Sequence, residues 1–244
     1  MINDNIVVYF DMEGKIVPKV SEAYFENKKK QILDAAFSIC MKKPVSDVIM
    51  SDIVAESGLS QGGVYKYYAN IDDIFIGLAN RINANYSFQK EFDKIIVSEN
   101  TPESIIREIF DFVGKHLSET LTGYGKISFE LDTMFANYPE REIYYRSKVY
   151  NSSDFDYLIK HTFDYIEQKV EEGYFKPILP VHDIFMFIIA SFDGIRRDVI
   201  LSKCYQSKDT IPSGFEFDEQ KLIRSLCTSC LLLLTGKTNT MEGV

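Results

Sequence analysis

The chain has only 13 glycines and 7 prolines among 244 residues, too few for low-complexity disorder or a collagen-like repeat. No apolar run approaches the ~20 residues that a membrane span needs. The longest stretches are Ile184–Ala190 and Leu231–Leu234, and Asp183 and Asp193 flank the first. Met1–Phe10 lacks a basic opening and a long apolar stretch, so it does not read as a secretory signal. These absences predict a cytoplasmic protein with no membrane partner. A Gly-rich phosphate loop, His-Glu-x-x-His and Gly-x-Ser-x-Gly are all missing. No catalytic residue is assigned, and the chain does not read as an enzyme.

Cysteine and histidine are scarce too. Cys227 and Cys230 form a Cys-x-x-Cys, but the remaining cysteines, Cys40 and Cys204, and the histidines, His116, His161 and His182, are distant in sequence. A zinc site needs a second pair or nearby histidines. Both cysteines fall in an apolar helical run, Leu222–Leu234, where small buried thiols are common. They are read as structural thiols, with no metal and no cofactor.

What is present is an ordinary globular composition, 45% hydrophobic and 26% charged, in a chain long enough to bury a substantial core. The net charge of −9 argues at first against a nucleic-acid partner. Its distribution softens that inference. Residues 19–70 hold seven lysines against six acids, whereas residues 86–244 hold 18 basic and 25 acidic residues. A near-neutral N-terminal module on an acidic body can bind DNA, because local patches decide contact.

Strand-like alternation is scarce, with Ile6–Phe10 the only short β-branched run, and helical spacing dominates. Helices are predicted over 22–42, 49–56, 60–67, 72–97, 102–121, 125–137, 140–172, 181–206 and 216–235, separated by breakers such as Pro44, Ser57-Gly58, Pro139 and Gly173. The fold class is therefore all-α. Residues 1–20 read as an N-terminal extension.

The informative stretch is Lys28–Phe75. Ile32, Leu33, Ala35, Ala36, Phe37, Ile39 and Cys40 stripe a long amphipathic helix, and two short helices follow, parted by Ser57-Gly58-Leu59. Gly58 permits a left-handed turn, Leu59 can plug the crease between the helices, and Ser60 caps the second one. This is helix-turn-helix grammar. Small residues at the start of the second helix let its backbone approach DNA closely, and Tyr65, Lys66 and Tyr67 offer hydroxyls and a charge to phosphates and bases.

At these residues the chain resembles the tetracycline-repressor (TetR) family. The family's Ile-Leu-x-Ala-Ala block appears as Ile32-Leu33-Asp34-Ala35-Ala36. Its Ile-Ala-x-x-Ala-Gly-Val-Ser-x-Gly-x-x-Tyr-x-His-Phe block appears as Ile53 through Tyr68, without a gap between the two. Departures from the pattern matter at five positions. Val48-Ile49 stand for the usual Thr-Thr, so the hydroxyl cap is lost and Asp47 or Ser51 is expected to replace it. Pro44 stands for Gly, Tyr67 for a phosphate-contacting His, and Ile71 for a Lys. Fewer charged phosphate contacts imply DNA binding that is weaker or less dependent on salt.

The resemblance implies a three-helix DNA-binding domain at 21–71 and a larger helical ligand-binding and dimerisation domain at 72–244. The implied function is a regulator, expected to be a repressor, that a small apolar or amphipathic effector releases from a palindromic double-stranded DNA operator. The expected DNA contacts are Lys28, Ser51, Ser60, Gln61, Gly62, Gly63, Tyr65, Lys66 and Tyr67. An aromatic-rich body supplies the expected effector site: Phe92, Phe112, His116, Phe129 and Glu130, then Met134, Tyr157, His161, Phe185 and Phe192. Glu130 nearby leaves room for a ring or a cationic end on the ligand. Homodimerisation is expected through the last two long helices, at Phe185, Ile188, Ile195, Val199, Leu222, Leu226 and Leu231. The alternatives are an α-helical enzyme using an aromatic-lined pocket on a small apolar substrate, and a protein-interaction module.

Overall fold

The computed structural model describes residues 9–10, 16–17, 22–85, 89–149, 154–205 and 217–236. Within them the chain is helical apart from one antiparallel ladder, in which β1 (Tyr9–Phe10) pairs with β2 (Ile16–Val17), Tyr9 opposite Val17. The remainder of the 1–20 extension lies outside the described residues. Two compact units divide after Leu78.

In the first unit, α1 (Glu22–Lys42) buries Ile32, Leu33, Ala35, Ala36 and Cys40, the stripe that its three-and-four spacing predicts. Pro44 cannot continue the helix, and a single 3-10 turn follows at Val45–Asp47. Then come α2 (Met50–Ser57) and α3 (Gln61–Tyr65), whose Ile53 and Val64 are fully buried. The chain then enters α4 (Ile71–Asn85), which sends Ile74, Phe75 and Leu78 into the same core. Each such side chain contributes about 1.5–3 kcal/mol by leaving water.

The second unit holds α5 (Gln89–Ile96), α6 (Pro102–Thr120), α7 (Lys126–Ala136), α8 (Pro139–Lys148), α9 (Asp154–Glu171), α10 (Val181–Cys204) and α11 (Glu219–Thr235). The 102–121 helix starts as its sequence dictates, with Thr101 as cap accepting the Ser104 N–H and Pro102 in the first turn. It runs through a π-helical turn, Leu121–Gly125, directly into α7. Two long predicted helices are each described as two. The 72–97 segment gives α4 and α5, with 86–88 outside the described residues. The 140–172 segment stops at Lys148, because Val149 is extended (φ −75°, ψ 111°), and resumes at Asp154.

The most extensive helix pairings in this unit are α6 with α11 and α10 with α11, while α9 meets α10 over a short stretch. One apolar cluster joins Ile106, Ile166, Phe175, Ile184, Cys227, Cys230, Leu231 and Leu234. A second joins Leu117, Leu121, Val199, Ile200 and Ile223, and a third Phe92, Ile105, Ile109 and Leu158. Among the described residues no helix is long and apolar enough to cross a membrane.

Candidate nucleic-acid interface and effector cavity

The turn between α2 and α3 rests on Gly58, whose backbone is left-handed (φ 66°, ψ 13°), a conformation that L side chains adopt only with strain. Ser57, buried in front of it, donates its hydroxyl to the Val54 carbonyl (3.1 Å) and accepts the Leu59 N–H (3.3 Å). Gln31 on α1 reaches across and donates from Nε2 to the Ser57 carbonyl, 2.7 Å away. Ser60 then caps α3, its Oγ accepting the Gly63 N–H at 3.1 Å.

Helix α2 is capped differently from expectation. Neither Asp47 nor Ser51 takes the lost hydroxyl's place. Asp52 instead supplies the other half of a capping box from inside the first turn, its Oδ2 accepting the Ile49 N–H (2.9 Å) and pairing with Lys43 Nζ (2.5 Å). The Lys43 bond, then the Ile49 N–H, holds the Asp52 carboxyl below the usual Asp value. Glu56 is lowered likewise by Lys42 (2.8 Å) and by the Ser38 hydroxyl (2.6 Å). Lys42 and Lys43 thus brace α2 against α1.

This bracing leaves one polar face in solvent. Ser51, Ser60, Gln61, Gly62, Tyr65 (44% exposed) and Lys66 are exposed, while Gly63 and Tyr67 are half-buried. A Cβ added at Gly62 would meet nothing within 4 Å, so the protein itself does not require glycine there. The Tyr67 ring stands edge-on to Phe25, with centroids 6.0 Å apart, and Lys66 Nζ lies 5.0 Å above the same ring. The first turn of α1 is thereby laid against the end of α3. Lys28, one turn further on, donates to Gln31 Oε1 (3.0 Å) and lies over Tyr24. Phe25, Gln31 and Asp52 were not singled out by sequence. Phe25 lies upstream of the Lys28–Phe75 stretch, although seven residues before Ile32 and so on its face of α1, and a glutamine tether has no sequence signature.

The second unit contains an apolar cavity of about 70 Å³, walled by α6, α9, α10 and α11 with Val181 at its rim. Its side chains include Phe110, Leu158, Ile184, Phe185, Phe192 and Leu226, and the lining residues Thr162 and Cys230 present no polar surface to it. Burial pushes the Cys230 thiol up to about 12, so it stays protonated. Its neighbour Cys227 is pushed to about 11 by the same cause.

Of the ten expected effector contacts, Phe185 and Phe192 line this cavity. Phe92 is buried in the third cluster, with Phe112 and Tyr157 packed against that cluster, Tyr157 edge-on to Phe92 (6.1 Å) and tilted against His161 (4.0 Å). Phe129 lies under the Arg196 guanidinium (5.9 Å). Met134 is buried in α7 beside Arg141, and His116 lies on α6. Glu130 pairs with Lys126 (2.6 Å) in a nearly buried ion pair away from the cavity. Helix α7 gives no wall residue and α11 gives three, so the reason for a cationic end on the ligand falls away.

The comparisons agree with this geometry. The model of bacterial regulatory proteins of the tetR family matches residues 32–78, the span from the α1 core stripe through α3 into α4. A relative from Bacillus subtilis (strain 168), the uncharacterized HTH-type transcriptional regulator YfiR, is 24% identical over 189 residues, covering 75% of this chain and 85% of its own length. Residues 32–78 are thus a tetR-family helix-turn-helix module, and the chain as a whole is similar to TetR-family transcriptional regulators.

Solved TetR structures share its fold. A TetR transcription regulator from Haloarcula marismortui is 14% identical, with a TM-score of 0.60 over 84% of this chain and 97% of its own. The regulator FadR from Bacillus subtilis, solved with stearoyl-CoA, is 17% identical, with a TM-score of 0.57 over 85% of this chain and 98% of its own.

The seven expected dimer contacts divide in two. Val199 and Leu231 are buried in the protomer's own clusters, and Leu226 is buried in the cavity wall. Phe185 lines the cavity against Phe163, and Ile188, Ile195 and Leu222 pack half-buried on the core. Read as a stripe, α10 was apolar on more than one side, and sequence did not tell the inner side from the outer. The outer side carries Met186 and Phe187, each 52% exposed, then Ala190 and Leu201 at helical spacing.

Proposed function

We propose that this TetR-family chain is a cytoplasmic homodimeric repressor that a small apolar effector releases from a palindromic operator. The observation that carries the reading is the polar face of α3, held outward by a capped and tethered turn. Ser60, Gln61, Gly62, Tyr65 and Lys66 would enter the major groove, with Gly62 bringing the backbone close to a phosphate. Ser51, Gly63, Tyr67 and Lys28 flank that face. Lys42 and Lys43 are engaged with carboxylates, so few lysines remain to displace counterions and the salt dependence is shallow. The DNA-binding region is assigned to 21–71 and the sensing and dimerising region to 72–244.

A two-fold protein reads a two-fold site, and the outer stripe of α10 supplies a self-complementary apolar face. The cavity supports effector sensing. Its 70 Å³ is well below the ~300–1,000 Å³ of ordinary small-molecule sites, so an effector must part its walls. The short α9–α10 contact is the seam that yields most easily. A ligand that prefers the parted state shifts the protein toward it. Helix α4 runs unbroken through the division after Leu78, which gives the change a covalent route to the reading head. The lining provides no acid or base, and a thiol with a value near 12 is a poor nucleophile at neutral pH, which favours a sensor over an enzyme.

Selection from a random duplex library with the purified protein tests the reading. The expected product is a palindrome with half-sites about one helical turn, ~34–36 Å, or a multiple of it apart. Recovery of unrelated sequences would contradict it.

A further inference from the structure

The outer side of α10 is patterned as well as apolar. Asp183, Phe187, Ala190, Gly194, Arg197 and Leu201 follow one another at intervals of four, three, four, three and four residues, the spacing of a coiled-coil seam. All are exposed except Gly194, which is half-buried, and none belongs to the apolar clusters or to the cavity wall. Gly194 stands in the interior of the helix, where glycine weakens it. Its φ is not positive, and a Cβ added there would meet nothing within 4 Å. The protomer itself therefore does not require glycine at this position. A second backbone approaching closely from outside does.

The charges on the stripe point to a second copy of this chain, and to its direction. The acid Asp183 stands at the N-terminal end and the cation Arg197 near the C-terminal end. A parallel copy would set like charge against like, whereas an antiparallel copy sets opposite charges together. The spacing also reads the same in both directions, so reversing the helix keeps the seam in step. Arg197 donates from Nε to Asp198 at 2.9 Å, which leaves the end of its guanidinium fork for a partner across the seam.

Resting on the reading of this face as the homodimer interface, we propose that two copies of α10 cross antiparallel, with the two-fold axis midway between Ala190 and Gly194. Ala190 then sits on the partner's Gly194, which lets the two backbones come close. One layer further out, Phe187 lies on the partner's Arg197, ring against guanidinium. Asp183 comes within a helical turn of the same arginine. The two-fold axis makes each of these contacts twice.

The test joins cross-linking to sedimentation, both on the full chain. Ala190→Cys and Gly194→Cys proteins are prepared separately, mixed to exchange subunits, and oxidised. A disulfide spans only Cα atoms within about 7 Å of each other. The mixture is therefore expected to give a covalent dimer on a non-reducing gel, and neither protein alone to do so, because 190 meets 194 and neither meets itself. Gly194→Leu should keep the helical circular dichroism of wild type, yet weaken self-association by about tenfold or more as the added side chain wedges the helices apart. Arg197→Glu should weaken it likewise, and Arg197→Lys should retain most of it, since a cation still reaches the ring. Three results would each overturn this register while leaving the homodimer reading in place: a dimer that gives no cross-link in the mixture, an equal yield from Ala190→Cys alone, or a Gly194→Leu dimer as tight as wild type. A wild-type chain that sediments as a monomer would overturn both.

Discussion

Gln31 and Ser57 lie 26 residues apart in sequence, yet the Gln31 side chain donates to the Ser57 carbonyl at 2.7 Å. This bond fastens α1 to the residue that precedes the left-handed turn. Gln31→Leu would leave the carbonyl of a buried residue without its partner, at a cost of about 1–3 kcal/mol. The expected result is a lower midpoint in urea unfolding together with weaker operator binding. An unchanged midpoint would show that the tether carries no weight.

Gly58 and Gly62 should behave oppositely on substitution. Gly58→Val forces a β-branched residue to positive φ, a strain of about 1–3 kcal/mol, so thermal stability and DNA binding should fall together. A Cβ at Gly62 meets open space in the free protein. Gly62→Ala should therefore melt at or slightly above the wild-type temperature, yet bind operator DNA more weakly. Full DNA affinity in folded Gly62→Ala would remove this glycine from the interface.

The dimer face is tested from its exposed side. Phe187 is 52% exposed in the protomer, so Phe187→Glu should leave the fold intact. Across a two-fold axis it buries unpaired charge at a cost of several kcal/mol. Sedimentation should show folded monomers that bind a palindromic duplex poorly. A dimer as tight as wild type would move the interface off this stripe.

Acid should loosen the reading head through Asp52. Lys43 and the Ile49 N–H lower its folded value below 3.8, so the unfolded state takes up the proton first. The resulting stability is fully present above about 3.8 and is lost as pH falls through the lower, folded value. Asp52→Asn should be less stable than wild type at pH 6, with the gap closing as pH falls below 3.8. A gap independent of pH would contradict this role for Asp52.

The fold class and the reading head were legible because both rest on local chemistry. The α1 stripe, the Ser60 cap and the Gly58 turn are each set by residues a few positions apart, and each stands where its spacing requires. The Asp52 contact was not legible as a replacement for a lost hydroxyl, because a cap hydroxyl accepts an N–H of the first turn, whereas the Asp52 carboxylate reaches back to the N–H of the cap residue Ile49 itself. The body was less legible. Its helices are apolar on several sides, so spacing alone did not tell which aromatics face the cavity, which fill clusters and which point outward. Phe92 and Phe185 look alike in sequence, yet only Phe185 lines the cavity. The wall contributed by α11, at Leu226, Cys230 and Leu234, reflects long-range packing that no local pattern encodes.

The central claim is that α3 reads sequence. It is tested most directly by fluorescence anisotropy of the purified chain on its selected duplex and on a scrambled duplex of equal length and composition, at one salt concentration. The account predicts that the selected duplex binds at least ~10³-fold more tightly, the range of specific over non-specific recognition. Equal affinity for the two duplexes would contradict it.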